Sequence, residues 1–203
     1  MSDDLRPFVR RWPLLLVCAV AGAALALAAS FVFPLRYSST VRLLVTQSVA
    51  ADVDPFTAMK SAERVAGNLA GLVHTSTFME KILSSVPGFD RAYFPADDYD
   101  RRKLWSKTVE TSVEPSTSFL TIVAFHPQAS QANLLVSAAA KDLTTEATSF
   151  FGANVRAQQI DSPLNSRWFV RPRILRNGVY GGLAGFLVGL AWVLIRPRRK
   201  DLE

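Results

Sequence analysis

Hydrophobic and polar positions divide the chain into three parts. Leu14–Phe33 and Val179–Ile195 hold no charged residue, and only Gly22 and Ser30 interrupt the apolar side chains of the first. A helix of its 20 residues is about 30 Å long at ~1.5 Å per residue, the thickness of a bilayer's hydrocarbon layer. The second stretch has 17 residues and reaches 21 if Leu175–Gly178 joins the helix. Two membrane-spanning helices are expected, one near each end.

Between them the pattern changes. Tyr37–Thr46 is rich in β-branched residues and predicts a strand. Asp54-Pro55 supplies an N-cap and a first-turn proline, and Phe56, Met59, Ala62, Val65, Leu69 and Val73 follow at helical spacing. A second helix is expected from Thr75 or Ser76, then a turn at Pro87-Gly88. Asp97, Asp98 and Asp100 followed by Arg101, Arg102 and Lys103 suit the dipole of a solvated helix; a calcium loop would require a glycine and a distal glutamate that are missing. Thr108–Val113 and Ser118–Phe125 predict a hairpin. Pro127 is expected to open a long helix ended by Gly152; Asp142 and Thr145 break its apolar stripe, which leaves the apolar face weak beyond Ala140. Val155, Ala157 and Ile160 suggest a last strand, pairing with the first. The expected fold is an α+β domain, β-α-α-α-β-β-α-β, flanked by two transmembrane helices.

The chain has a formal charge of +6 and is 49% apolar. Tyr37–Ser166 holds 11 Lys+Arg against 13 Asp+Glu, so the excess basicity lies beside the apolar stretches. That distribution argues against a nucleic-acid partner and for a lipid bilayer. Arg6, Arg10, Arg11 and Trp12 precede the first span; Trp192, Arg196, Arg198, Arg199 and Lys200 mark the end of the second. Positive tails favour cytoplasmic termini and an extracytoplasmic middle, although Arg167, Arg171, Arg173 and Arg176 crowd the other side of the second span. The corresponding division is a tail (1–13), a span (14–33), the domain with its linker (34–174), a span (175–195) and a tail (196–203). The competing reading of the first stretch is a cleaved signal peptide, with Ala26-Leu27-Ala28 as its site and seven alanines diluting its apolarity.

Gly181, Gly185 and Gly189 recur every four residues, with Gly178 and Gly182 as a neighbouring pair. Small residues at that spacing let helix backbones approach, so these five predict a packing seam within the chain or between copies. Cys18 is the single cysteine, and the two histidines, His74 and His126, lie far apart in sequence, so no common zinc spacing occurs. No phosphate-binding loop or nucleophile elbow is present. Glu110 and Glu114 are a carboxylate pair without a surrounding motif. No catalytic, cofactor or metal site is expected, and the protein is expected not to be an enzyme. Asp90–Tyr99 either contacts sugar through Tyr93, Phe94 and Tyr99 or packs its own aromatics.

Several passages carry a family resemblance. The first span exits through Pro34, Leu35, Arg36 and Tyr37 into a strand. A later strand, Phe119–Phe125, continues through His126-Pro127-Gln128-Ala129 to Ala132 in a helix, and Pro163 and Pro172 precede a glycine-rich second span. The layout resembles the Wzz-type polysaccharide co-polymerases, the chain-length determinants of O-antigen and capsule assembly, in a short form without a fused kinase. In that family an acidic residue usually stands where His126 does, and the proline cluster before the second span is fuller than Pro163 and Pro172. The resemblance implies a non-enzymatic homo-oligomer in the bacterial inner membrane. It would act with a polysaccharide polymerase, and in some relatives with a separate cytoplasmic tyrosine kinase, to set glycan length or export. The alternatives are an extracytoplasmic sensor relaying to a cytoplasmic partner and a tethered envelope enzyme.

Overall fold

The computed structural model describes residues 12–48 and 54–195. The chain divides into two units, Arg36–Val170 and the pair of segments Met1–Leu35 and Arg171–Glu203.

The unit of terminal segments is built from α1 (Trp12–Ser30) and α6 (Ile174–Ile195). Both are long and apolar enough to cross a membrane. The first apolar stretch does not stay helical to Phe33. Ser30 turns its hydroxyl back onto the Ala26 carbonyl at 2.8 Å, and Phe31 and Val32 close a tighter turn onto Ala28 and Ala29. Pro34, which has no N–H to donate, follows. Leu16, Val17, Val20 and Leu25 on α1, and Val179, Leu183, Leu187 and Val188 on α6, are exposed. A helix apolar all round but uncovered presents a surface suited to a membrane or to another protein.

The other unit is α+β. Its strands are β1 (Tyr37–Gln47), β2 (Val109–Val113), β3 (Phe119–His126), β4 (Val155–Gln159) and the two-residue β5 (Leu164–Asn165). They form one antiparallel sheet in the order β2-β3-β1-β4, with β5 also pairing with β1. β1 is therefore interior, bonded to β3 on one side and to β4 and β5 on the other. Tyr37 lies opposite His126 and Leu44 opposite Phe119; Gln47 meets Val155. Along β1, Ser39, Val41, Leu43 and Val45 are buried while the residues between them are not, the mark of a sheet packed on one face.

The helices of this unit are α2 (Pro55–Val73), α3 (Ser76–Ser85), α4 (Asp98–Thr108) and α5 (Ala129–Phe151). α5 packs on β1, β3 and β4, and α2 on β1, β2 and β3. Asp54 caps α2 by accepting the Phe56 and Thr57 amides at 3.0 Å, and Asp97 caps α4 by accepting the Asp100 amide. In the hairpin loop Ser116 and Ser118 take positive φ values of 65° and 54°. α5 starts at Ala129, so Pro127 precedes the helix by two residues. Its apolar face does not fade after Ala140, because Leu143 and Ala147 are buried as well. Gly152 ends it with φ 87°, a left-handed conformation that glycine adopts without strain.

Candidate functional site: a glycine seam and two side-chain clusters

α1 and α6 meet through two ladders of small residues running in opposite directions. On α6 they are Gly181, Gly185 and Gly189; on α1 they are Cys18, Gly22 and Ala26. A methyl group on Gly185 would fall on the Cys18 carbonyl and within 3.1 Å of the Gly22 Cα. One on Gly181 would strike the Ala26 Cβ and come within 2.6 Å of the Gly22 carbonyl oxygen. These obstacles are backbone atoms or a Cβ and cannot rotate away. At Gly189 the neighbours are the Cys18 Cβ at 3.0 Å and the Leu15 side chain at 3.3 Å. Gly178 faces only the tip of Leu27, and a methyl on Gly182 would have ordinary contacts at 3.7 Å. The five glycines of the second span thus fall into a close-packed set of three and a looser pair.

Sequence periodicity singled out the glycines of α6 and passed over their counterpart. Gly22 is the contact point on α1, where a methyl would reach 2.9 Å from the Gly185 Cα. The signal was present as Cys18, Gly22, Ala26 and Ser30 at intervals of four, hidden among larger numbers of alanines. The seam closes at Asn177, whose side-chain amide donates to the Ser30 hydroxyl at 2.9 Å.

Trp12 and Trp192 are both exposed, near the N-terminus of α1 and the C-terminus of α6. Arg6, Arg10, Arg11, Arg196, Arg198, Arg199 and Lys200 lie outside the described residues. Pro34 is exposed, Tyr37 opens β1, Ala132 is fully buried on α5, and Pro163 lies between β4 and β5. Pro172 follows Arg171, at the start of the second terminal segment.

His126 lies buried at the end of β3, against Tyr93 with ring centroids 4.3 Å apart and Phe89 at 5.9 Å. Its Nδ1 accepts the Gln128 amide at 3.1 Å, which leads the chain into α5. Burial pushes its pKa below 6.5, because desolvation penalises the charged ring. A neutral ring accepting at Nδ1 carries its proton on Nε2. Tyr93 and Phe94 turn inward, Phe94 packing on Trp105, so the Asp90–Tyr99 segment buries its own aromatics and leaves Tyr99 exposed. The Trp105 indole donates to the Val73 carbonyl at 2.8 Å. An open depression of about 370 Å³ lies beside this cluster, lined by Glu80, Arg91, Pro95 and Arg101 among others. Arg101 is already engaged by Asp98 and Glu80.

The second cluster joins α3 to α5. Lys81 lies 2.8 Å from Asp142 and also pairs with Glu146, and these carboxylates hold its pKa above the usual lysine value. Asp142 had looked like a break in the apolar stripe of α5; it is the acceptor for a neighbouring helix. His74, at the end of α2, lies 3.0 Å from the Thr111 hydroxyl on β2. Among the described residues no group of three or more His, Cys, Asp or Glu side chains is placed to hold a metal ion. No protein-family model matches the chain, and no curated protein matches it significantly.

Proposed function

We propose that the chain is a two-pass inner-membrane protein whose middle domain stands outside the cytoplasm and regulates polysaccharide chain length or export. In this reading it works as a homo-oligomer alongside a polymerase and makes or breaks no bond itself. The observation that carries it is the paired apolar helices. Their seam is closed by backbone contact while their outer faces stay uncovered, which suits lipid as the surrounding medium and suits neither a soluble core nor a cleaved leader. The α+β unit between the spans carries the passages that resemble the Wzz-type co-polymerases. His126 stands where that family usually has an acid, and its Nδ1 accepts the amide two residues on, a bond an aspartate there would also make. That equivalence supports the resemblance at its main departure.

The arginines of both tails support this orientation, and the resemblance to the co-polymerases is what suggests the oligomer. Deleting the gene from its host is expected to change the length distribution of surface glycan on a gel while synthesis continues. An unchanged distribution overturns the proposal. A topology reporter at Ala50 is expected outside the cytoplasm, and one at the C-terminus inside it.

A further inference from the structure

The two ends of the α+β unit are tied to each other. Ser166 donates its amide to the Ser38 carbonyl at 2.8 Å and accepts the Ser38 amide on its hydroxyl at 2.9 Å. Val170 donates to the Arg36 carbonyl at 2.8 Å, and β5 pairs Leu164 with Thr40. The strip 164–170 is thereby held along the start of β1. It nevertheless leaves Leu164 75% and Trp168 76% exposed, with Phe169 and Val170 also exposed. A large indole held on a bonded strip and left uncovered is unusual for a surface facing only water.

Charge and chain reach indicate what covers it. Arg36 and Arg167 form no ion pair with any carboxylate among the described residues. The windows 31–37 and 160–176 together hold five arginines against one aspartate, whereas Tyr37–Ser166 is net acidic. α1 ends six residues before Arg36, and α6 begins four after Val170. At no more than about 3.6 Å per residue, Arg36 is within roughly 22 Å of the end of α1 along the chain, and Val170 within roughly 14 Å of the start of α6. Exposed tryptophan beside arginine suits the headgroup layer, where the indole lies at the boundary and the guanidinium meets phosphate.

We infer that Arg36, Arg167 and Trp168 form a foot that docks the domain onto anionic phospholipid headgroups of the leaflet it faces. This rests on the two-pass reading. Docking limits how the domain tilts on its two short tethers and so presents neighbouring copies to one another at a common height.

The test uses the full chain in lipid nanodiscs of phosphatidylcholine, with or without phosphatidylglycerol, each doped with phospholipid brominated near the headgroup. The difference in emission between the wild type and Trp168→Phe isolates Trp168. That component is expected to be quenched by the bromolipid and protected from iodide, more so with phosphatidylglycerol and less so in high salt. Each of Arg36→Gln and Arg167→Gln is expected to lower the docked-to-free ratio about fivefold in phosphatidylglycerol discs. Trp168 freely accessible to iodide in a disc-embedded protein overturns the foot alone. Shielding that ignores lipid charge and both arginines also overturns it, in favour of a protein contact. A chain that does not enter the discs overturns the two-pass reading and the foot together. Should an arginine variant misfold, the salt and lipid dependence of the wild type still decides.

Discussion

The side-chain amide of Asn177 donates to the Ser30 hydroxyl at 2.9 Å, and that hydroxyl donates to the Ala26 carbonyl at 2.8 Å. One polar pair thus closes an otherwise apolar seam at the C-terminal end of α1 and the N-terminal end of α6. Its removal is expected to cost modestly. Asn177→Leu and Ser30→Ala should each lower the thermal stability of the detergent-solubilised protein, and a double-mutant cycle should return a coupling of about 0.6 kcal/mol, up to ~1.7. Strictly additive effects would mean that the pair does not hold the helices together.

The seam also discriminates between glycines. Gly185→Ala places a methyl on the Cys18 carbonyl, whereas Gly182→Ala meets neighbours at 3.7 Å. The first is expected to destabilise the helix pair by about 1–3 kcal/mol, the second by far less. Protease resistance of the membrane fraction would show the contrast, and equal tolerance at both positions would contradict the seam.

Trp105 couples packing to a hydrogen bond. It is 2% exposed and its indole satisfies the Val73 carbonyl at the end of α2. Trp105→Phe keeps a ring but orphans that carbonyl, for an expected loss of about 1–3 kcal/mol. Trp105→Ala also leaves a cavity, for about 3–5 kcal/mol. Chemical denaturation followed by far-UV circular dichroism measures both.

Acid sensitivity should trace to His126. Its folded pKa lies below the 6.5 of an unperturbed histidine, because burial disfavours the charged ring. Between the two values the unfolded chain binds more protons, so stability rises with pH in that window. The contribution is complete above about 6.5 and is lost as pH falls toward the depressed value. His126→Asn keeps an acceptor for the Gln128 amide and does not titrate. The melting temperature of that variant is expected to change less than the wild type's between neutral and mildly acidic pH, and an identical slope would refute the assignment.

Sequence periodicity alone predicted two uncharged helical stretches, a β-rich strand at Tyr37, a hairpin around Pro115 and the glycine spacing of α6. Each of these rests on chemistry local to one segment: continuous apolarity, β-branching, turn residues, a repeat of four. The caps at Asp54 and Asp97 belong to the same class, since an N-cap acts within three residues of itself.

What depended on tertiary structure joins residues far apart in the chain. Gly22 gained its role only when Gly181 and Gly185 came against it, because the spacing of four it shares with Cys18, Ala26 and Ser30 is masked by the surrounding alanines. Asp142, a flaw in a one-dimensional apolar stripe, became the acceptor for Lys81, and Leu143 and Ala147 behind it were buried by strands that the helix pattern does not encode. The pairing of the first and last strands was expected, but β1 became an interior strand because β3 also bonds along its other edge. Hydrophobic pattern states which surfaces must leave water; the partner that covers each one is chosen by shape and hydrogen bonding in three dimensions.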